Sequence, residues 1–228
     1  MAEGKSFWSS LPGILTALAG LVTAIGGLLL AFDQAGLFGK TEPATAPVAN
    51  AAPPPLLERI GVTEVERVTL RGVPTTLNDE RLTAALVTRG LFDAARNPAG
   101  AGVDNRFETV LREEALVVRD ATTGLVWQRD GTPMQLDLAG AEAHVAALNA
   151  QAHAGYRDWR LPTAEEAASL MEKAPLDGRH IDPVFGTGVS FIWTADRTPD
   201  GRAYVAYWVD GRLSPERPEF HAWVRAVR

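Results

Sequence analysis

The chain of 228 residues is long enough for one or two domains, and its 46% share of hydrophobic residues is typical of a protein with a packed core. The net charge of -6 comes from Asp and Glu scattered along the sequence, with no run of Lys or Arg that would follow a phosphate backbone. Nucleic acid is therefore excluded as an expected partner. The absence of cysteine excludes disulfides, thiolate metal ligands and cysteine nucleophiles.

The first predicted element is a transmembrane helix. Residues 7–32 contain no Asp, Glu, Lys or Arg, and a helix needs only about 20 mainly apolar residues to cross the hydrocarbon layer. Phe7 and Trp8 stand where interfacial aromatic residues occur in such helices. A cleaved signal peptide and a buried core helix are the alternatives, but the apolar region of a signal peptide would be about 7–15 residues, and this run is longer. We predict an N-terminal transmembrane anchor over residues 1–40.

Small residues recur at helical spacing within this segment, which favours close packing against another membrane helix. Such packing would make the chain a subunit of a larger membrane complex. The alternative interpretation is that Gly and Ala are simply common in membrane helices. The positions are Thr16, Gly20 and Ala24 on one stripe and Ala19, Thr23 and Gly27 on the other.

The charges beside the predicted helix favour a cytoplasmic N-terminus, since Lys5 and the terminal amine precede the helix and Lys40 follows it. The globular part would then lie outside the cytoplasm, periplasmic or extracellular, on a bacterial inner membrane. Residues 41–55 are rich in Pro and Ala and predict an extended, semi-rigid linker.

Residues 56–115 predict a small segment of mixed helix and strand that packs on the following domain. A short strand is expected over the alternating apolar residues Val62, Val68 and Leu70. A helix is expected to begin at Asn78, to carry Leu82, Ala85 and Leu86 on one face, and to end near Gly90. Residues 97–102 read as a loop.

The remainder, residues 116–228, opens with a predicted hairpin of strands 116–119 and 125–128 around a turn at 120–124. A helix follows, with Leu138, Ala141, Val145 and Leu148 on one face. A second helix is expected after Pro162, with Thr163 and Glu166 forming a capping box and with Leu170 and Met171 facing inward.

Five motifs in this region resemble those of the Lcl family, the C-terminal domain of the Legionella collagen-like protein. The resemblance covers most of residues 73–228. The motifs are TGLVWQ at 123–128, GYRDWRLPT at 155–163, IDPVF at 181–185, IWTAD at 192–196 and VRAVR at 224–228.

The resemblance implies an α+β fold that is a variant of the C-type-lectin-like domain. In such a domain the N- and C-terminal strands pair, two helices pack on an antiparallel sheet, and an irregular second half displays a ligand surface. Function follows the site and not the fold, so the resemblance alone implies binding of a protein or glycan ligand without naming it.

The GYRDWRLPT motif is expected to be structural, with Trp159 buried like Trp127 and Trp193. Within the motif, Asp158 stands between Arg157 and Arg160, which are able to form bidentate pairs.

The predicted ligand surface lies between Trp193 and Trp223, where strand signals are interrupted at 196–202 and at 211–218. The alternative is an ordinary solvated loop. By family analogy the exposed, changeable face consists of Tyr207, Asp210, Arg212, Glu216, Arg217, Glu219 and His221.

No catalytic role, cofactor or metal is predicted. The four histidines lack His-Glu-x-x-His spacing, and each is expected at the surface; neither a Gly-x-Ser-x-Gly motif nor a Gly-rich phosphate loop is present. Asp177, His180 and Asp182 are close enough in sequence to share an ion, but a polar loop gives such a trio easily. The Glu-Pro-Asn type calcium motif of sugar-binding lectins is also missing.

Overall fold

The structure is a computed structural model that describes residues 67–228, all within the unit Val62–Arg228. The predicted anchor, its small-residue stripes and the Pro/Ala linker lie outside the described residues. Within residues 67–228, no helix combines the length and the apolar character needed to cross a bilayer.

The helix predicted from Asn78 is confirmed as α1, Asp79–Thr88. Its cap forms because the Asn78 side chain accepts a hydrogen bond from the Arg81 N–H, which otherwise has no partner in the first turn. Leu82 and Leu86 are fully buried, and Gly90 ends the helix with φ +66°.

The prediction of a strand before α1 is wrong for the residues that the structure describes, since residues 67–72 have an irregular backbone. The Val68 N–H donates to the Thr122 carbonyl, whereas the Arg71 N–H faces a carboxylate oxygen of Glu165 at 3.4 Å. These partners belong to a turn and a helix, and so no strand ladder forms along this segment.

The first sheet is antiparallel with the order β1-β2-β3, formed by Phe107–Arg112, Ala115–Asp120 and Val126–Gln128. The predicted hairpin is confirmed as β2 and β3, whereas β1 was not predicted. The C-terminus extends the sheet, because Val126 and Arg228 exchange two backbone hydrogen bonds of 2.9 Å.

Two further helices follow, as predicted. The first, α2, is Leu138–Ala150, capped by the Asp137 side chain. The second, α3, is Ala164–Ser169, and both hydrogen bonds of its capping box between Thr163 and Glu166 are present.

The second sheet is also antiparallel, with the order β4-β5-β6, formed by Phe191–Arg197, Ala203–Tyr207 and Arg212–Glu216. The predicted interruption at 211–218 is therefore wrong, since β6 pairs with β5 along its length. Pro215 fits because β6 is the outer strand of the three, where a missing N–H costs no ladder bond.

The core joins the segment before residue 116 to the segment after it. Leu82, Leu86, Leu91 and Phe92 pack in the same buried cluster as Trp127, Phe185, Trp208 and Leu213. A second cluster places Trp193 and Val205 against Leu138 and Ala141 of α2. The β4-β5-β6 sheet is thus covered on both faces. This explains why the odd-numbered and the even-numbered residues of β5, which point to opposite faces of the sheet, are both apolar.

Buried carboxylates tie this core together. Asp196, with no exposed surface, accepts hydrogen bonds from Arg71 Nη1 and Nη2 at 2.8 and 2.7 Å, and from the backbone N–H groups of Thr75 and Ala164. Glu165 pairs with Arg71 and Arg89, each at 2.9 Å. Asp196 is therefore a core residue, and its predicted place at the start of a loop is wrong.

The GYRDWRLPT motif builds part of this frame, as predicted, but through different pairs. Trp159 is buried, and its indole N–H donates to the His153 carbonyl. Arg160 forms a bidentate pair with Glu166, while Asp158 pairs with Arg228 at the C-terminus. Asp158 therefore makes no pair with the arginines beside it, because their side chains turn to other acceptors.

Candidate functional site

The predicted ligand residues surround the hairpin of β5 and β6. Tyr207 and Arg212 are opposite each other in the register, and Phe191 of β4 is opposite Tyr207 on the other side. Since opposite residues point to the same face of a sheet, these three side chains lie together. We call this surface, with the segment 217–221 that follows β6, the hairpin face.

Tyr207 is fixed in the hairpin face by a polar contact. Its hydroxyl donates a hydrogen bond of 2.9 Å to Glu216 Oε1. Burial, together with this bond to a carboxylate, raises the pKa of Tyr207 far above its ordinary value. The phenol therefore stays neutral and acts as a donor throughout the physiological range.

Arg212 covers the outer side of Tyr207. Its guanidinium carbon is 5.5 Å from the centroid of the tyrosine ring, and its Nε is 3.3 Å from Asp210 Oδ2. Because both partners of the ion pair are about half exposed, the pair contributes little stability and remains available to a ligand.

Aromatic rings form the apolar part of the hairpin face. Phe191 stacks on Tyr207 with centroids 5.1 Å apart, and it lies 5.8 Å from Phe220 and 4.8 Å from Trp223. All four rings are half-buried. We call these four residues the aromatic patch; rings with one side open supply large contact area with little entropy to lose on binding.

Beside the aromatic patch is an open cavity of about 600 Å³. Its charged walls carry two arginines and two glutamates, so a ligand meets both signs of charge within one cavity. The lining residues are Arg202, Pro215, Glu216, Arg217, Glu219 and Phe220.

A family model of the Lcl C-terminal domain matches residues 116–228. The chain carries an Lcl C-terminal domain. The resemblance stated from the five motifs is thereby confirmed, and the hairpin face lies wholly within the matched residues. No curated protein matches the chain in sequence.

The structure brings some of the predicted ligand residues of the Lcl domain together and leaves others apart. Glu216, Arg217 and Glu219 line the cavity. Tyr207 and Asp210 each contact Arg212 at the turn end of the hairpin, and Tyr207 joins the two groups through its bond to Glu216. His221 is exposed and is not part of the cavity wall.

The residues missed by the sequence prediction are Phe191, Arg202, Phe220 and Trp223. Two of them could have been found from the register of the sheet, because Phe191 is opposite Tyr207 across β4-β5 and Arg202 immediately precedes β5. Phe220 and Trp223 belong to no strand, so no periodic signal places them here.

The four histidines of the Lcl domain differ in their exposure to solvent, although all four were expected at the surface. Only His221 is exposed, whereas His144, His153 and His180 are half-buried. Burial lowers the pKa of His144 and of His153, and the neighbouring His153 lowers that of His144 further. The prediction that each histidine is a surface residue is wrong for these three.

The trio of Asp177, His180 and Asp182 does not converge. His180 Nδ1 is 2.7 Å from the Glu172 carbonyl, and its ring stacks on Phe92. Asp182 accepts a hydrogen bond from the backbone N–H of Val184. Within residues 67–228, no three His, Asp or Glu side chains are arranged to hold a metal ion.

Proposed function

We propose that this chain is a recognition protein held at a bacterial membrane, whose Lcl domain binds a protein or glycan ligand outside the cytoplasm without catalysing a reaction. The observation that carries the proposal is the contact between the aromatic patch and a cavity with two arginines and two glutamates. Half-open rings beside groups of both charges are typical of binding surfaces, where aromatic residues and arginine contribute most energy.

The mixed charge narrows the kind of ligand. Arg202 is already paired with Asp200 at 2.9 Å, and Arg212 is paired with Asp210. Because carboxylates offset the arginines over the whole hairpin face, the proposed ligand is neutral or carries both charges, and a long polyanion would be repelled in part.

We further propose that the Lcl domain has a C-type-lectin-like fold. Two features support this: the C-terminal residues pair with β3 near the start of the domain, and α2 and α3 both pack on sheet residues. In that fold the second half of the domain presents the ligand surface, which is where the hairpin face lies.

The binding proposal is tested with full-length protein in mild detergent on a printed array of neutral, sialylated and sulfated oligosaccharides and on a peptide display library. The triple variant R212A/R217A/E219A removes exposed side chains of the hairpin face. We expect the affinity for a ligand bound by the wild type to fall at least tenfold, since hot-spot truncations cost about 2 kcal/mol or more.

The matched control is R81A/E80A on the exposed surface of α1, which removes both signs of charge away from the hairpin face. This variant should bind like the wild type. Equal binding by the triple variant, or binding by the wild type to none of the oligosaccharides and peptides, would contradict the proposed recognition surface.

The membrane location is a separate part of the proposal, and it rests on the uncharged segment 7–32. Membranes washed in alkaline carbonate should retain the full-length protein, and a C-terminal alkaline phosphatase fusion should be active, because that enzyme matures only outside the cytoplasm. Release by carbonate would contradict the anchor, and an inactive fusion would contradict the orientation.

A second candidate function is an accessory subunit of a membrane complex, favoured by the two small-residue stripes in segment 7–32. Native mass spectrometry of the protein in mild detergent should then detect stoichiometric partners. These partners should be lost in the variant G20L/G27L, because leucine keeps the helices apart, and a wild-type protein without partners would contradict this function.

A further inference from the structure

The first sheet ends at an uncovered strand. Among the described residues, β1 is hydrogen-bonded to β2 alone, and no bridge joins its other side to the rest of the chain. β3, at the opposite end of the sheet, is instead extended by the C-terminal residues. An uncovered edge is an open hydrogen-bonding ladder that another strand can join.

The outer side of β1 offers the backbone groups of its odd-numbered residues. The Ala121 N–H donates to the Arg106 carbonyl at 2.9 Å, so residue 106 and every second residue after it direct their backbone groups toward β2. The N–H and carbonyl groups of Phe107, Thr109 and Leu111 therefore point away from β2. These are the groups that an added strand would bind.

Apolar side chains lie beside this edge. Leu111 is 68% exposed, and Leu116, directly opposite it on β2, is 40% exposed. On the same face of the two strands, Phe107 packs against the main core and Val118 is fully buried. The apolar row thus continues beyond the core to two leucines in contact with solvent, which an added strand would help to cover.

The charges along this segment are antisymmetric about Val110. Arg106 and Glu108 precede it, Arg112 and Glu114 follow it, and all four charged residues are exposed. Each charge therefore has the opposite charge at the same distance on the other side of Val110. A strand with this pattern is complementary to an antiparallel copy of itself, because a two-fold axis at Val110 exchanges its two halves.

The charges also select one register for such a pair. With the axis at Val110, Glu108 is opposite Arg112 of the other copy, and Arg106 is opposite Glu114. The smallest shift that keeps the outward backbone groups facing each other sets Arg106 opposite Arg112 in one direction and Glu108 opposite Glu114 in the other. Like charges directly opposite each other are destabilising, so both shifted registers are disfavoured.

We propose that two copies of this chain associate by antiparallel pairing of their β1 strands about a two-fold axis at Val110, which joins their first sheets into one continuous sheet. In this pair, Thr109 of each copy exchanges backbone hydrogen bonds with Leu111 of the other. The occupant of the edge is a second copy because the charges of β1 complement themselves. The surface is independent of the hairpin face, none of whose residues lies in β1.

Single cysteines test the register, since the chain has none of its own. Val110 would face its counterpart in a non-hydrogen-bonded pair, with Cα atoms about 4.5 Å apart, which a disulfide can bridge. Full-length V110C in mild detergent should form a disulfide-linked dimer on gentle oxidation, and V87C, at an exposed position of α1, should not. Monomeric V110C, or a higher yield of dimer from T109C or L111C, would overturn the proposal.

Charge variants test the complementarity by sedimentation of the full-length protein. E108R and R112E each set like charges opposite each other twice, and each alone should dimerise at least about tenfold more weakly than the wild type. An equimolar mixture of the two should dimerise as the wild type does, because the mixed pair restores opposite charges at both places. The mixture also controls for folding, since it contains the same chains. A monomeric wild type, or a mixture as weak as its components, would overturn the proposal.

Two further variants separate this association from the proposed functions. V110C combined with G20L/G27L should still form the dimer, which distinguishes β1 pairing from association through the predicted membrane helix. V110C combined with R212A/R217A/E219A should do the same, so a failure of hairpin-face binding leaves this measurement intact. A disulfide-linked adduct with a different protein, or loss of the dimer in G20L/G27L, would overturn the pairing of two copies.

Discussion

Asp196 shows how a single side chain can join distant parts of this chain. Its two oxygens accept hydrogen bonds from the guanidinium of Arg71, from the N–H of Thr75 and from the N–H of Ala164 at the start of α3. A carboxylate at a helix N-terminus also interacts favourably with the helix dipole. In the sequence, Asp196 precedes polar and turn-forming residues, so nothing local distinguishes it from a surface loop residue.

Replacing Asp196 by alanine should lower the free energy of unfolding by about 3 kcal/mol, because Arg71 loses one of its two carboxylate partners and two backbone donors are left unpaired. Denaturant unfolding followed by tryptophan fluorescence measures this change. The control is E142A, which removes a mostly exposed partner of Arg197 and should change the free energy by about 0.5 kcal/mol or less. Equal effects of the two variants would show that Asp196 has no special role.

The half-buried histidines predict how stability depends on pH. The folded-state pKa of His144 and of His153 is below the ordinary value of 6.5. As the pH falls below 6.5, the unfolded chain therefore takes up protons before the folded chain does, and the free energy of unfolding decreases until the folded pKa is passed.

The measurement for this prediction is the urea midpoint at pH 7.5 and at pH 5.5. The wild type should be less stable at the lower pH, and the variant H144Q/H153Q should lose part of that dependence. H221Q, at an exposed position, should behave as the wild type does. A double variant with the full wild-type pH dependence would rule out these two histidines as its origin.

Among the helices, strands and turns, the sequence predicted those whose formation depends on residues close together in the chain. The Asn78 cap, the capping box of α3 and the 120–124 turn each depend on side chains within a few residues, and each is confirmed. The elements missed or wrong, β1, β6 and the irregular segment 67–72, depend on distant partners. β6 contains Pro215 and charged residues, and it is a strand because β5 lies beside it.

The capping box gives a prediction for α3. Thr163 is fully buried, and its hydroxyl accepts from the Glu166 N–H and donates to the Arg71 carbonyl at 2.7 Å. The variant T163A should lower the free energy of unfolding by about 2 kcal/mol, at the upper end for a cap because a buried partner is also lost.

The comparison for T163A is N78A, at the exposed cap of α1, which should cost about 1 kcal/mol. Both free energies come from denaturant unfolding of the full-length protein. A cost for T163A no greater than that for N78A would show that the bond to Arg71 contributes nothing.

For the whole molecule, the sequence predicted part of the hairpin face and hardly any of the arrangement of the core. Glu216, Arg217 and Glu219 were expected on an exposed face and do line a cavity. The aromatic patch draws its rings from β4, from β5 and from residues after β6, so only the folded chain assembles it.

The shared core predicts the extent of the folding unit. The family match begins at residue 116, but Leu82, Leu86, Leu91 and Phe92 are buried against residues within the match. At about 1.5–3 kcal/mol for each buried side chain, their loss would remove roughly 6–12 kcal/mol, which is comparable with the whole stability of a typical domain.

A fragment of residues 116–228 should therefore be unfolded, and one of residues 67–228 should fold. Near-ultraviolet circular dichroism distinguishes them, since buried tryptophans give a signal only in a fixed environment. A cooperative unfolding transition of the shorter fragment at the same midpoint as the longer one would contradict a common folding unit.

The outer strands of the second sheet are both occupied by other parts of the same chain. Along β6, Asp93 accepts from the N–H of Leu213 and Ala94 donates to Gly211; along β4, residues 75–77 pair with Arg197, and Trp193 donates to Trp223. Bare strand edges are the places where β-proteins join into aggregates. Copies of this protein crowded side by side would find no free ladder at those positions, so substitutions in the neighbouring turn leave the edges covered and do not invite fibre growth there.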